Sequence, residues 1–309
     1  MPGDRILITG VCGFTGRHLV AHLCRISSAA IVGIDTREDP NLPIDGYHRC
    51  DLTNRDEMDR AVTNARPTVV FHLASLIGSA EPAELARVNV GGFQCLSDTL
   101  RRHAAKTGTT IRVVTIGSAA EIGTAGAAKL PVSEEARCEP ETAYGRSKLE
   151  VTRLAMLEPA SSPLKFLIAR SFNLLGPGLS STLSLGSFVQ QVAAAVRGET
   201  ESVRCGSLET SRDFVDVRDA ASAYCSLAQV GRPGQIYNVC RGRSYRLGRL
   251  LDMLLTLANV KVRIVSDSRT PRQGDVKDIY GDCSKIVRET GWKPAISIEH
   301  SLMDMLAAA

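Results

Sequence analysis

Short apolar runs without polar alternation recur along the chain, and most are followed by a stretch with helical spacing. Arg5–Thr9 and Ala30–Ile34 are such runs. Between them, Phe14–Ile26 places Leu19, Val20 and Leu23 on one face. Thr68–Leu73, Ile111–Ile116 and Leu164–Ala169 repeat the strand pattern, while Glu84–Lys106 and Thr142–Leu157 read as helices. Runs that never alternate describe strands covered on both faces. Strand and helix in regular succession predict an α/β fold, a doubly wound parallel sheet with helices on both sides.

The pattern changes after Asn173. Leu174–Ser187 is rich in Gly, Ser and Pro and reads as a loop leaving the sheet. Beyond it, Phe188–Arg197 is a predicted helix, and Asp213–Val217, Ala220–Ala228 and Gln235–Val239 are predicted as strand, helix and strand. Helices are expected near Leu247–Leu257 and Ser301–Leu306. This organisation predicts a nucleotide-binding domain over residues 1–175, with returning segments near 208–240. Residues 176–207 and 241–309 would form a smaller C-terminal lobe.

Candidate chemistry begins where the first strand meets the first helix. Gly10, Gly13, Phe14, Thr15 and Gly16 lie in Gly-Val-Cys-Gly-Phe-Thr-Gly. Glycines let a diphosphate approach the backbone, and the helix end supplies N–H donors and partial positive charge. Asp35 ends the second strand, where a carboxylate can accept both hydroxyls of an adenosine ribose. Together these features predict a dinucleotide site of the Rossmann type. Asp35 favours NAD(H), because it would repel a 2′-phosphate; Arg37 keeps NADP(H) open. Asp51 either reaches the adenine edge or belongs to a helix N-cap region.

A second cluster carries acid–base chemistry. Tyr144 and Lys148 are spaced i, i+4 and share a helix face. An adjacent ammonium is expected to lower the phenol toward the working pH, making it a general acid/base for carbinol–ketone interconversion. Ser118 follows a strand at the carboxyl edge of the sheet, placed to hold the same substrate oxygen.

These motifs, with Asp51-Leu52, His72-Leu73-Ala74-Ser75 and Asn89, resemble the extended short-chain dehydrogenase/reductases that act on nucleotide sugars, the NAD-dependent epimerase/dehydratase family. Ser171-Phe-Asn173, Arg212–Asp219, Ile236–Cys240 and Thr290–Pro294 resemble its GDP-4-keto-6-deoxy-D-mannose reductases. The resemblance implies cofactor contacts at Leu52, Leu73, Ala74, Ser75, Asn89, Tyr144, Lys148 and Ser171. It implies substrate contacts at Ser118, Asn173, Arg212 and Arg272, and a homodimer through the two long helices, with Leu85, Val88, Leu96, Leu149, Leu154 and Leu157 as apolar positions. The implied reaction reduces the C4 ketone of a nucleotide-diphosphate 4-keto-6-deoxyhexose, with Tyr144 as proton donor. Two alternatives use the same fold: a nucleotide-sugar 4-epimerase that keeps NAD bound, and a non-catalytic NAD sensor. One departure stands out. Ser118 is followed by Ala119-Ala120-Glu121, where dehydratases carry acidic residues at the two alanine positions. Alanines cannot move protons, so a dehydratase is not expected; Glu121 is either a support for the site or a solvent-facing residue.

Composition narrows the partners. The 309 residues are 44% hydrophobic and 23% charged, the mix of a globular protein with a core. A formal charge of +4 without a basic run argues against nucleic acid. No stretch approaches the roughly 18 apolar residues of a membrane helix, and the N-terminus lacks signal-peptide features. The nine scattered cysteines read as reduced core thiols in a cytoplasmic protein, and no His/Cys/Asp spacing fits a metal. His72 is expected as a satisfied core residue and Trp292 as a packing anchor.

Overall fold

The computed structural model describes residues 3–78, 80–266 and 276–309. In chain order the strands are β1 (Arg5–Thr9), β2 (Ala30–Asp35), β3 (Gly46–Arg49), β4 (Val69–His72), β5 (Ile111–Ser118), β6 (Leu164–Ser171), β7 (Asn173–Leu175), β8 (Ser202–Cys205), β9 (Ser211–Asp216), β10 (Gln235–Val239), β11 (Ser244–Arg246), β12 (Arg263–Ser266) and β13 (Asp278–Ile279). The helices are α1 (Phe14–Ile26), α2 (Arg55–Ala65), α3 (Pro82–Leu85), α4 (Gly92–Thr107), α5 (Gly123–Gly126), α6 (Ala143–Met156), α7 (Ser184–Val196), α8 (Val217–Val230), α9 (Leu247–Leu257), α10 (Ser284–Thr290) and α11 (Ile298–Ala307).

A seven-stranded sheet runs in the order β10-β6-β5-β4-β1-β2-β3, with every neighbouring pair parallel. The strand order reverses between β1 and β4, so the crevice for a ligand opens at the carboxyl ends there. Both faces are covered, which is why the strands read as unbroken apolar runs. Leu19 and Leu23 of α1 and Tyr224 of α8 are fully buried on one face. Met58 of α2, Leu96 of α4 and Val151 of α6 are buried on the other. Each such aliphatic side chain contributes about 1.5–3 kcal/mol by leaving water. A separate core joins Leu185 and Phe188 of α7, Leu250 and Leu254 of α9 and Leu302 of α11. There β9 lies between β11 and β13 and also pairs with β7, so the small sheet starts where the chain leaves β6.

Trp292 packs the C-terminal segment onto α8. Its indole N–H reaches the Asp219 carbonyl at 3.0 Å and the Ser222 hydroxyl at 2.9 Å. The Asp219 carboxylate accepts the N–H groups of Ala295 and Ile296.

Several expectations need correction. Glu84–Lys106 is helical throughout, as expected, but it widens into a π-helical segment over Ala86–Gly91 between α3 and α4. The wider π turn carries Asn89, whose buried side chain grips Leu76 and Ser147. The segment Leu174–Ser187 is not all loop, because β7 pairs with β9 and α7 already begins at Ser184. Leu85, Leu96 and Leu149 are at most 8% exposed and face the protein's own core, which removes them from any subunit contact. Leu157, at 77%, is the one of the six that stands out into solvent.

Candidate active site

The turn from β1 into α1 is built for close approach. Gly10 has a φ of +70°, and a Cβ there would lie 2.8 Å from the backbone of Ala74. A Cβ on Gly16 would lie 2.4 Å from the Val11 carbonyl oxygen. Gly13 caps α1 with no side-chain hydrogen bond, and the first turn, which starts at Phe14 and Thr15, has no acidic residue. The helix therefore offers unshielded N–H donors to an anion. Asp35 braces this turn: Oδ2 accepts the Cys12 N–H at 3.0 Å, and Oδ1 accepts those of Thr36 and Arg37. A carboxylate has about four lone-pair sites and these three N–H groups use three, so one remains for a ribose hydroxyl. Arg37 folds over the turn and donates to the Cys12 carbonyl at 3.2 Å. The donor set and the cradle fit a dinucleotide diphosphate with its adenosine ribose.

The remaining sequence-predicted cofactor residues surround this turn or the neighbouring strand ends. Asp51 curls onto Thr53, accepting its N–H and hydroxyl at 2.9 Å each, while Asn54 caps α2. Leu52 is buried behind it. Leu73, Ala74 and Ser75 follow β4, with the Leu73 N–H on the Thr9 carbonyl at 3.2 Å. Asn89 braces the next step of that loop: Oδ1 accepts the Leu76 N–H at 2.8 Å, and both amide donors are engaged. Ser171 is held by the Tyr224 hydroxyl at 2.7 Å. His72 is buried against the Thr9 hydroxyl at 2.9 Å, and burial pulls it down to about 3, so the ring is neutral.

Ser118, Tyr144 and Lys148 come together at the carboxyl end of β5. Ser118 and Tyr144 line a cleft of about 240 Å³ with Ala119, Ala120, Glu141, Ser171, Asn173 and Arg212 among its walls. Thr142 caps α6 by accepting the Gly145 N–H at 3.0 Å, which sets Tyr144 in the first turn. Lys148 follows one turn later and is 5% exposed. The expected lowering of the Tyr144 phenol is not what this arrangement produces. Burial pushes it up, the Ser118 hydroxyl pulls it back, and the Glu121 anion adds to the rise. Burial instead pulls Lys148 down to about 8, with Glu121 opposing. Desolvation dominates at both groups, and the buried Glu121 carboxylate adds to it at the phenol but works against it at the ammonium. At neutral pH the site holds a protonated phenol and an ammonium, the forms suited to giving a proton to an oxyanion.

Among the residues expected to meet substrate, Asn173 is exposed and donates weakly to the Asp213 carbonyl at 3.4 Å. The Arg212 guanidinium donates to the carbonyls of Ser211 and Val276 while lining the cleft. Arg272 lies outside the described residues. Phe172, Val276 and Ile279 add an apolar wall that the sequence reading missed, since it depends on strands from distant parts of the chain. Also missed were Arg170, 1% exposed, and the buried position of Glu121, at 0%. Their signal was legible in part: Ser118-x-x-Glu121 has the spacing of a capping box, and Arg170 interrupts an apolar run.

Comparison with known proteins places this arrangement among relatives. The model of the NAD dependent epimerase/dehydratase family matches residues 6–240. GDP-6-deoxy-D-mannose reductase of Pseudomonas aeruginosa is 30% identical, over 98% of this chain and 96% of that protein. The solved structure of RMD from Pseudomonas aeruginosa complexed with NADPH superposes with a TM-score of 0.87 at 30% identity, covering 99% of this chain and 98% of that one. UDP-glucose 4-epimerase of Pisum sativum is 25% identical, over 97% of this chain and 94% of that protein.

Proposed function

The chain belongs to the NAD-dependent epimerase/dehydratase family, and on that premise we propose that it reduces the C4 ketone of a nucleotide-linked 4-keto-6-deoxyhexose. It is an NAD(P)-dependent nucleotide-sugar oxidoreductase. When bound, the reduced nicotinamide supplies a hydride to the carbonyl carbon. The chain's own residues do the rest. Ser118 donates a hydrogen bond to the ketone oxygen and fixes its direction. Tyr144 gives its proton as that oxygen becomes an alkoxide. Lys148, from its buried position, holds the cofactor ribose and keeps positive charge beside the phenol. Asn173 and Arg212 meet the diphosphate, with Arg272 as a further cation. The cofactor sits on residues 1–175 with the segments near 208–240, and the sugar nucleotide sits against 176–207 and 241–309. The protein acts as a homodimer in the cytoplasm; its nine free thiols support a reducing compartment.

The observation that carries this reading is one cleft holding Ser118, Tyr144, Asn173 and Arg212, in a chain that matches a reductase over nearly its full length. The epimerase relatives make a 4-epimerase the competing reading. Incubation with NAD(P)H and GDP-4-keto-6-deoxy-D-mannose separates the two. Stoichiometric cofactor oxidation with formation of a 6-deoxyhexose is expected. Turnover of a UDP- or GDP-hexose without net cofactor consumption would replace the reductase by the epimerase.

A further inference from the structure

Glu121 is completely buried, yet it lies directly behind the cleft. Its Oε1 accepts the Ser118 backbone N–H at 2.7 Å. Its Oε2 accepts the Thr152 hydroxyl at 3.2 Å and the Arg170 guanidinium at 3.4 Å. One carboxylate thus ties together the end of β5, α6 and the end of β6. These elements carry Ser118, the Tyr144–Lys148 pair and Ser171. The tie to Ser118 is reciprocal, because the Ser118 hydroxyl oxygen accepts the Ala120 N–H at 3.2 Å and closes a capping box. Gly117 leaves the space for it: a Cβ there would lie 2.7 Å from Glu121 Oε1.

Stability alone does not account for this pair. Two buried charges lose much of their attraction to desolvation, and well-packed apolar residues of similar volume often serve a fold as well or better. Arg170 is itself 1% exposed, and its two terminal nitrogens donate to the Glu134 carbonyl and the Cys138 sulfur. The ion pair is therefore closed off from substrate and acts only through its neighbours.

We propose that Glu121 is a positioning residue of the reaction, which through the Ser118 amide and the Thr152 hydroxyl holds the end of β5 against α6, and so sets Ser118, Tyr144 and Lys148 relative to the ketone. The inference rests on the reading of Ser118, Tyr144 and Lys148 as the reacting set. The groups facing Lys148 are Glu121 from the turn after β5, His72 from the end of β4, and Tyr144 on its own helix. His72 is neutral and Tyr144 is protonated near neutral pH, so Glu121 is the charge that opposes burial. Facing Glu121 are Arg170 from β6, Lys148 and Tyr144 from α6, and Cys138 from the preceding loop. Burial pushes Glu121 up, and Arg170 is first among the groups that pull it back toward the ionised form.

The test is Glu121→Gln, which keeps the size and an acceptor for the Ser118 amide but removes the charge. In the folded holoenzyme kcat should fall about 10²-fold, the scale of a small misplacement of a reacting group. KM for the sugar nucleotide should hold. The Lys148 titration midpoint, followed by NMR of the labelled side chain, should move down by about one unit, and the alkaline limb of kcat should move with it. A second variant, Glu121→Leu with Arg170→Met, replaces the ion pair by apolar packing. It should fold with near-normal Tm and retain both defects. An unmoved Lys148 midpoint, or restored turnover in the apolar double variant, would overturn the proposal. The midpoint is read without substrate. Failure of the wild-type protein to reduce the keto sugar would therefore count against the proposed function and leave this measurement standing.

Discussion

In the proposed reaction Tyr144 and Lys148 divide their task by where burial leaves each. Tyr144→Phe removes the proton donor and keeps the ring, so turnover should drop by roughly 10²–10⁴ while dinucleotide affinity persists. Near-normal turnover would remove the phenol from the reaction. The pH dependence follows from Lys148, whose ammonium the proposed reaction requires and whose midpoint burial brings to about 8, against 10.5 for a free lysine. Activity should therefore decline as pH rises through about 8. Stability should move the other way. Between about 8 and 10.5 the unfolded chain holds a proton on Lys148 that the folded chain has lost, so unfolding becomes less favourable as pH rises. Parallel kcat and denaturant-unfolding profiles check this, with Lys148→Met as the variant in which that stability slope should disappear. Asp35 belongs to the same scale. Asp35→Ala should weaken NADH more than NADPH, because only the former presents a free 2′-hydroxyl. Equal losses measured by titration would refute the assignment.

Elements supply the positions at which these side chains act. The β1–α1 turn is the most constrained: Gly16→Ala would drive a Cβ to 2.4 Å from the Val11 carbonyl, a backbone contact that cannot yield without moving α1. A lowered Tm and loss of dinucleotide binding by calorimetry are expected, and unchanged affinity would mean the turn does not carry the cofactor. The turn was readable because its requirements are local, glycines at fixed spacing between a strand and a helix. The interruption over Ala86–Gly91 was not readable, because it is set by Asn89 gripping Leu76 and Ser147, partners 13 and 58 residues away. Likewise β7 forms only because β9 lies beside it, and three residues carry no periodicity of their own.

At the scale of the whole molecule, the burial of Leu85, Leu96 and Leu149 leaves a subunit contact to other side chains of α4 and α6. Phe93, Asp98, Arg101, Leu154 and Glu158 line a hollow of about 430 Å³ on that face, with Arg101 bridging Asp98 and Glu158. A homodimer through this face should show twice the chain mass by light scattering at micromolar concentration, and Leu157→Glu beside it should shift the balance to monomer. A single-chain mass for the wild-type protein would refute the assembly. The sequence by itself determined the parallel sheet, the glycine turn with Asp35 and the i, i+4 spacing of Tyr144 and Lys148, because each rests on local periodicity or spacing that no distant segment can erase; Ser118 meets that pair only through the packing of β5 against α6. Tertiary structure alone decided the order of the phenol and ammonium affinities, the burial of Glu121 against Arg170, and the apolar wall of Phe172, Val276 and Ile279. Desolvation and charge pairing depend on which distant residues surround a group, and that is settled only when β5, β6 and α6 have packed together.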